Sequence, residues 1–193
     1  PWPAMQPSTL VVRPVRPEEY VETGRIVLAA YDAAGRIEGP YRIRIEDTAA
    51  RAEAGSEVWV AVDGDRVLGS VTFTDAGDPN LEDDTHGDCG FRMLGVDPAA
   101  QGLGVGRTLV QRCIDTATER GRRRLSIYSM IWMPAAHAMY ERMGFTRRRD
   151  RDVLFPAGVG WAFQRNLVPD ADAWFPPEGP PAEPPPWYLD VLG

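Results

Sequence analysis

A short glycine-rich segment is the part of this sequence whose residue types point most directly to chemistry. Residues 101–106 read Gln-Gly-Leu-Gly-Val-Gly and fit the pattern [Gln/Arg]-x-x-Gly-x-[Gly/Ala]. An apolar run, residues 91–96, precedes them, and an amphipathic stretch beginning near Gly104 follows. A strand, a glycine turn and a helix start, in this order, present unpaired backbone N–H groups to an anion. The segment therefore predicts a phosphate-binding turn.

This turn does not fit the two best-known nucleotide-binding motifs. A dinucleotide fingerprint starting at Gly102 would need a glycine where the chain has Arg107, and one starting at Gly104 would need it where the chain has Leu109. The phosphate loop of ATP- and GTP-binding proteins needs Gly-Lys-Ser/Thr, and this sequence contains no lysine. Two alternatives stay open: a glycine turn without a ligand, and a nucleotide-binding protein of another class that prefers NAD or ATP.

Two segments resemble motifs of the GNAT superfamily of N-acyltransferases, which use acetyl-CoA or a related acyl-CoA. Residues 94–106, Leu-Gly-Val-Asp-Pro-Ala-Ala-Gln-Gly-Leu-Gly-Val-Gly, are similar to the central motif of that family. Residues 136–145, Ala-His-Ala-Met-Tyr-Glu-Arg-Met-Gly-Phe, are similar to its downstream motif A-x-x-x-Tyr-x-x-x-Gly-Phe. The resemblance covers about residues 10–167. It implies direct transfer of an acetyl group from acetyl-CoA to a primary amine of a small molecule or a peptide.

The resemblance also implies roles for individual residues. Leu94 and Val96 would pair with the pantetheine arm like a neighbouring strand, and the Leu94 N–H would lie at the thioester oxygen. Gly95 fits a local bulge there, because glycine within a strand often marks a bulge or a close backbone approach. The implied cofactor-binding residues are Leu94, Gly95, Val96, Gln101, Gly102, Leu103, Gly104, Val105, Gly106, Arg107, Ala136 and Tyr140.

Tyr140 is the predicted general acid. A phenol is protonated at neutral pH, so it can donate a proton to the departing thiolate. Ala136 and the Gly144-Phe145 pair frame Tyr140 as in the family motif. The alternative is a tyrosine that only packs in the core. Tyr140 and Leu94 are therefore the two predicted catalytic residues.

The sequence departs from the family pattern at two positions. Met133 stands where many relatives have an asparagine that contacts the cofactor, and Gly90 stands where many have a glutamate that acts as a base. A chain of waters or a residue of the preceding loop would then accept the amine proton. The loop candidates are Glu82, Asp84, His86 and Asp88. The departures also leave open a non-catalytic protein that senses acyl-CoA.

The loop at residues 75–88 carries six carboxylates and no cation. It is either a solvated loop or a source of negative potential that attracts a cationic amine. No metal site is predicted, because the spacing of Asp83, Asp84, His86 and Asp88 matches no calcium or zinc motif. Cys89, in the strand that follows, is predicted to be inert. In the family, the break between the first two helices helps to shape the acceptor pocket; Tyr31, Glu38 and Tyr41 flank that break here.

Hydrophobic periodicity and turn residues predict an α/β fold. The predicted strands are 10–13, 58–62, 67–74, 89–96, 125–130, one beginning at Phe145 and a last one at 159–167. The predicted helices are Pro17 to about Ala33, 41–54, 104–120 and 134–142. The resemblance adds a mixed, mostly antiparallel central sheet that is splayed at the CoA cleft and flanked by about four helices.

Length and composition are those of one globular domain of 193 residues, 44% hydrophobic and 25% charged. We expect an N-terminal extension (1–9), the acyltransferase domain (10–167) and a C-terminal tail (168–193). Two cysteines and the lack of a membrane span or signal peptide favour the cytoplasm.

The charge of the chain is unevenly distributed. Five of the seven net negative charges lie in the tail, which also has eight prolines. We expect this tail to lie along the domain or along a partner subunit, and family habit makes a homodimer the expected assembly. An acidic chain argues against nucleic acid as the partner. The arginine clusters at 122–124 and 147–149 are predicted to be solvated. The alternative is that one of these arginines reaches a phosphate of CoA.

Overall fold

The computed structural model describes residues 10–35, 37–78, 80–81, 88–155, 158–169 and 171. Within them the elements follow one another in this order: β1 (Leu10–Pro14), α1 (Tyr20–Ala34), α2 (Pro40–Glu46), α3 (Thr48–Glu53), β2 (Glu57–Asp63), β3 (Arg66–Thr74), β4 (Cys89–Val96), α4 (Val105–Glu119), β5 (Arg124–Met130), α5 (Pro134–Arg142), β6 (Thr146–Arg147), β7 (Val153–Phe155) and β8 (Gly158–Asn166). Residue contacts divide the chain into two compact units, 1–73 with 93–113 and 74–92 with 114–193.

The strands of the first unit are paired in the order β1-β2-β3-β4. β1 and β2 are antiparallel, and so are β2 and β3. The predicted Asp-Gly turn joins β2 to β3, and Gly64 has the positive φ of 59° that such a tight turn requires. Ile26 of α1 packs with Val60, Val62 and Val67 in the core of this unit.

The strands of the second unit are paired in the order β4-β5-β8-β6, and β7 also pairs with β8. All of these pairs are antiparallel except β4 with β5, which is parallel at Cys89–Leu125 and Gly90–Ser126 only. The predicted α/β class and the mostly antiparallel pairing are confirmed. β7 has no counterpart among the predicted strands, since its three residues are too few to show a period.

The described residues contain five α-helices rather than about four. The predicted segment 41–54 is broken at Asp47, whose carboxylate accepts a hydrogen bond from the Ala50 N–H at 2.9 Å and caps α3. The helix predicted to open at Pro17 begins instead with a 3-10 turn, and α1 starts at Tyr20. Both differences arise because local caps decide where a helix begins, which hydrophobic periodicity does not reveal.

Gly95 lies where α1 approaches the end of β4. A Cβ atom at Gly95 would stand 2.7 Å from the Cα of Val27 and 3.3 Å from the Cβ of Ala30. Gly95 is therefore a close-approach glycine. The backbone irregularity of β4 lies two residues earlier, at Met93, whose φ is 51°.

We expect Gly95→Ala to lower the free energy of unfolding by about 1–3 kcal/mol, because the added methyl overpacks the contact with the α1 backbone. Urea denaturation followed by circular dichroism measures this loss. An unchanged midpoint and slope would mean that α1 shifts away at no cost, contrary to this account.

Candidate active site

The glycine turn lies on the surface of the first unit, between a 3-10 turn (Pro98–Ala100) and α4. Gly102 and Gly104 have φ of 81° and 82°, values that L side chains rarely adopt. The space beside each is open, with no heavy atom within 4 Å of where a Cβ would stand. Both glycines are therefore required by backbone conformation, and they leave room for a ligand to approach the backbone.

The first amides of α4 are directed toward the same turn. The Thr108 N–H donates to the Gly104 carbonyl at 3.0 Å, and the Thr108 hydroxyl donates to it at 3.1 Å. The N–H groups of Val105, Gly106 and Arg107 precede this bond and have no carbonyl one turn back within the helix. These amides, at the positive end of a 15-residue helix, fit the negative charge of a pyrophosphate.

Asp97 fixes the approach to the glycine turn. Its carboxylate accepts from the Ala99 N–H at 2.9 Å and from the Arg66 guanidinium at 3.0 Å. The Asp97 N–H donates to the Leu68 carbonyl at 2.8 Å. The turn is therefore tied to β3 as well as to β4, so its amides are held in place before any ligand binds.

β4 is strained immediately before Leu94, the predicted oxyanion donor. Met93 is buried, and among the described residues it alone combines a side chain with a positive φ. Such a conformation costs about 1–3 kcal/mol and persists only where the surroundings enforce it. The extended backbone is thus interrupted at the residue that precedes the Leu94 N–H.

Tyr140 lies in the second unit, on α5. The helix starts at Pro134, and Gly144, with a φ of 82°, follows its end. The tyrosine is 5% exposed, and its ring centroid lies 5.8 Å from those of three phenylalanines, Phe91, Phe145 and Phe163. This packing is compatible both with a tyrosine that only fills the core and with a tyrosine that is oriented as a general acid. Ala136, the other cofactor residue predicted for this unit, is partly exposed on α5.

The position of the family glutamate is closed to side chains. A Cβ at Gly90 would lie 2.6 Å from the Ser126 carbonyl oxygen and 3.3 Å from the Thr74 hydroxyl oxygen. Beside it is a cavity of about 10 Å³, space for a single water. The cavity is lined by Thr74, Asn80, Leu81, Gly90, Phe91, Arg92, Ser126 and Tyr128.

Asp88, a predicted candidate for the base, is committed to a buried ion pair. Its Oδ2 lies 2.7 Å from Nε and 2.6 Å from Nη2 of Arg124. The two side chains are only 6% and 1% exposed, respectively. The prediction that residues 122–124 form a solvated cluster is therefore wrong for Arg124. No local pattern could have revealed a pair whose members are 36 positions apart.

The acidic loop is anchored at its first residue. Asp75 pairs with Arg120 at 2.8 Å and Arg122 at 2.7 Å. Burial alone would raise the pKa of Asp75, but hydrogen bonds from Arg122, the Ala76 N–H and Arg120 lower it overall. The other three candidates for the base, Glu82, Asp84 and His86, lie outside the described residues, as does the Asp83 carboxylate.

Cys89 has the environment of an inert thiol. Burial raises its pKa far above the usual range, and its Sγ donates a weak hydrogen bond to the Arg124 carbonyl at 3.3 Å. In the part of the chain that the structure describes, no group of three or more His, Cys, Asp or Glu residues could hold a metal ion. No described helix has the length and apolar character to cross a membrane.

An open cavity of about 510 Å³ adjoins the break between α1 and α2 in the first unit. It is lined by Asp32, Ile37, Glu38, Gly39 and Arg42. Arg42 and Asp32 form an ion pair at 2.6 Å. Of the three residues predicted to flank this break, Glu38 lines the cavity, whereas Tyr31 and Tyr41 are not among its lining residues.

Residues 23–145 match the acetyltransferase (GNAT) family. The match spans more than half of the sequence and includes both the glycine turn and Tyr140. The chain therefore belongs to the GNAT family of acetyltransferases, as its two motifs predicted.

Curated relatives are similar to parts of the chain. The mycothiol acetyltransferase of Beutenbergia cavernae is 46% identical over 54 residues, which are 28% of this chain and 18% of that protein. The mycothiol acetyltransferase of Geodermatophilus obscurus is 40% identical over 90 residues, 46% of this chain and 28% of that protein. The chain thus matches less than a third of the length of either relative.

Solved structures share the fold. YncA from Salmonella typhimurium, solved with its cofactor acetyl-CoA, superposes with a TM-score of 0.63 at 22% identity. The superposition covers 83% of this chain and 95% of that one. This likeness shows that the mostly antiparallel sheet with its helices is a GNAT fold.

Proposed function

We propose that this chain is an acetyl-CoA-dependent N-acetyltransferase that transfers an acetyl group directly to a primary amine. The observation that carries the proposal is the open glycine turn at the start of α4, within the segment that matches the family. The retained tyrosine of the second motif adds to it. The likeness to mycothiol acetyltransferases makes their acceptor one candidate for the amine.

The first task of the chain is to hold and polarise the donor. The backbone N–H groups of residues 101–107 bind the pyrophosphate, with Val96 and Ala136 completing the proposed cofactor contacts. Acetyl-CoA, when bound, supplies an acetyl group activated as a thioester. The Leu94 N–H donates to the thioester oxygen as negative charge develops there. One donor placed in advance in this way contributes about 2.7–4 kcal/mol to transition-state stabilisation.

The second task is to move two protons. The Tyr140 phenol donates its proton to the departing sulfur. The proton of the attacking amine leaves through water, a route favoured by the closed position at Gly90 and by the pairing of Asp88 with Arg124. Glu82, Asp84 and His86 of the acidic loop, which lie outside the described residues, stay alternative acceptors. Glu38 lines the cavity at the α1–α2 break and attracts a cationic amine there, whereas the Asp32 carboxylate is already paired with Arg42.

A thiol-release assay tests this function. Purified protein is mixed with acetyl-CoA and a panel of amines: a polyamine, amino acids, an aminoglycoside, a peptide with a free N-terminus and the acceptor of the mycothiol acetyltransferases. Release of CoA that depends on an amine, with the acetylated amine found by mass spectrometry, supports the transferase. Tight acetyl-CoA binding with no release from any amine supports the acyl-CoA sensor instead. Binding of NAD or ATP in preference to acetyl-CoA contradicts both.

A charge placed on the glycine turn should weaken acetyl-CoA binding. Leu103 is 43% exposed, so Leu103→Asp should leave stability nearly unchanged. Its carboxylate would repel the pyrophosphate, and we expect the Kd for acetyl-CoA to rise about tenfold. Leu103→Asn is the matched control, because it has the same shape without the charge. Isothermal titration calorimetry measures both, and equal affinities would place the pyrophosphate elsewhere.

A further inference from the structure

His137 is a buried titratable residue that the mechanism above does not use. It lies on α5 in the second unit and is 7% exposed. Its ring stacks on Trp161, with centroids 5.0 Å apart and an interplanar angle of 29°, and packs in a tilted orientation against Phe163, at 5.2 Å and 32°. Both partners belong to β8, so the imidazole packs the first turn of α5 against that strand.

The hydrogen bonds of His137 define a neutral tautomer. The ring hydrogen-bonds to the backbone of Met130, at the end of β5. Its Nε2 has no hydrogen-bond partner among the described residues. A neutral imidazole has one donor and one acceptor nitrogen, so we assign the proton to Nδ1, which donates to the Met130 carbonyl.

The surroundings of His137, taken together, oppose its protonation. Burial has the largest effect and lowers the pKa of His137, and Arg147 of β6 lowers it further. The hydrogen bond to Met130 and the nearby Glu141 of α5 raise the pKa of His137, but by less than burial and Arg147 lower it. The Arg147 guanidinium lies 4.6 Å from the centre of the Trp161 ring. An imidazolium would therefore be a second cation in the same aromatic cluster, with no acceptor described for its Nε2–H.

We propose that neutral His137 is a positioning residue that fixes α5, and with it Tyr140, against β8, and that its protonation loosens this contact. The inference rests on the proposed role of Tyr140. The two residues are one helical turn apart, and both rings pack on Phe163, at centroid distances of 5.2 Å and 5.8 Å. A movement of the His137 ring therefore changes the support of the tyrosine ring through a shared neighbour.

The direction of the pH effect follows from the lowered pKa. Below the ordinary histidine value of about 6.5, the unfolded chain binds a proton that the folded chain resists. Stability is thus fully present above that value and is lost as the pH falls through the folded-state pKa. We expect kcat to decline over the same pH range, because protonation of His137 loosens the contact between β8 and the helix that carries Tyr140.

Two variants of His137 separate stacking from titration. His137→Phe keeps a stacked ring but cannot titrate, so the acidic decline of kcat and of Tm attributable to this residue should disappear. His137→Asn keeps a donor for Met130 but loses the stack. Because a displacement of about 1 Å at a catalytic group can cost about 10²-fold in rate, kcat should fall by up to that factor at pH 7.5, with little change in KM. An acidic decline in His137→Phe equal to that of the unaltered protein would overturn the proposal.

Proton NMR gives a test that does not depend on activity. The chain has two histidines, so the imidazole region contains two pairs of titrating ring-proton signals, and His86→Asn identifies the pair that belongs to His137. The His137 signal should titrate with a midpoint below 6.5, and amide hydrogen exchange in α5 should accelerate on the same curve. A midpoint at or above 6.5 contradicts the inference. So does amide hydrogen exchange in α5 that does not change as His137 titrates. If the protein acetylated no amine, the proposed function would be contradicted. The NMR titration and the amide exchange would still decide the inference about His137.

Discussion

Replacing Tyr140 by phenylalanine is expected to lower kcat by about 10²–10⁴-fold, the usual contribution of a general acid. The substitution removes one hydroxyl and keeps the ring that packs among Phe91, Phe145 and Phe163. The fold and the affinity for acetyl-CoA should therefore be nearly unchanged. The rate of thiol release at saturating acetyl-CoA and amine measures the effect. Because the hydroxyl would act only on the departing sulfur, KM should change far less than kcat.

A matched control separates the role of this hydroxyl from the loss of any tyrosine hydroxyl. Tyr20 begins α1 and lies in the first unit, and Tyr20→Phe should retain full activity. Nearly unchanged turnover in Tyr140→Phe would show that Tyr140 is only a core residue. The departing thiolate would then receive its proton from solvent. The second motif would be present in this sequence without supplying a general acid.

Removing the carboxylate of Asp88 is expected to produce the largest loss of stability among the single substitutions considered. Asp88→Ala leaves the Arg124 guanidinium buried without its charge partner, and breaking a buried pair costs about 3–5 kcal/mol. Chemical denaturation at pH 7 measures the loss. Asp150→Ala is the control, because Asp150 pairs with Arg148 at 2.9 Å but is 48% exposed. An exposed pair of this kind contributes only about 0–1 kcal/mol.

A double substitution checks the cause of this loss. Asp88→Leu combined with Arg124→Met removes both charges and keeps most of the buried volume, so it should be more stable than Asp88→Ala. If the single and double variants lost the same free energy, the uncompensated charge would not be the reason. The same experiment asks whether Asp88 has a chemical role, because a stable double variant that retains full turnover would exclude Asp88 as the base.

The parts of the fold that depend on local sequence were predictable. β4 and α5 begin and end at the residues that the patterns predicted. The bounds of α5 follow from Pro134, which starts the helix, and from Gly144, which lies beyond its end. The positive φ at Gly102 and Gly104 also follows from their residue type and their place in a turn.

The features that depend on distant pairs were not predictable. The Asp88–Arg124 ion pair, the contact of Gly95 with α1 and the stacking of His137 on β8 all join residues far apart in the chain. Each residue taken alone has an ordinary explanation: a loop carboxylate, a bulge glycine and an apolar-face histidine. Only the pairing of strands and helices in space decides among these explanations.

The closed space at Gly90 bears on how a missing catalytic residue is interpreted when function is inferred from a family motif. A glycine at the position of a catalytic glutamate, taken alone, suggests that the active site has been lost. Here the position is occupied by the Ser126 carbonyl and the β4–β5 pairing, so grafting glutamate back at 90 would force the strands apart. A protein engineer who wanted a carboxylate base would have to place it on another strand. In this chain, the strand packing at Gly90 and a side-chain base at the same position exclude each other.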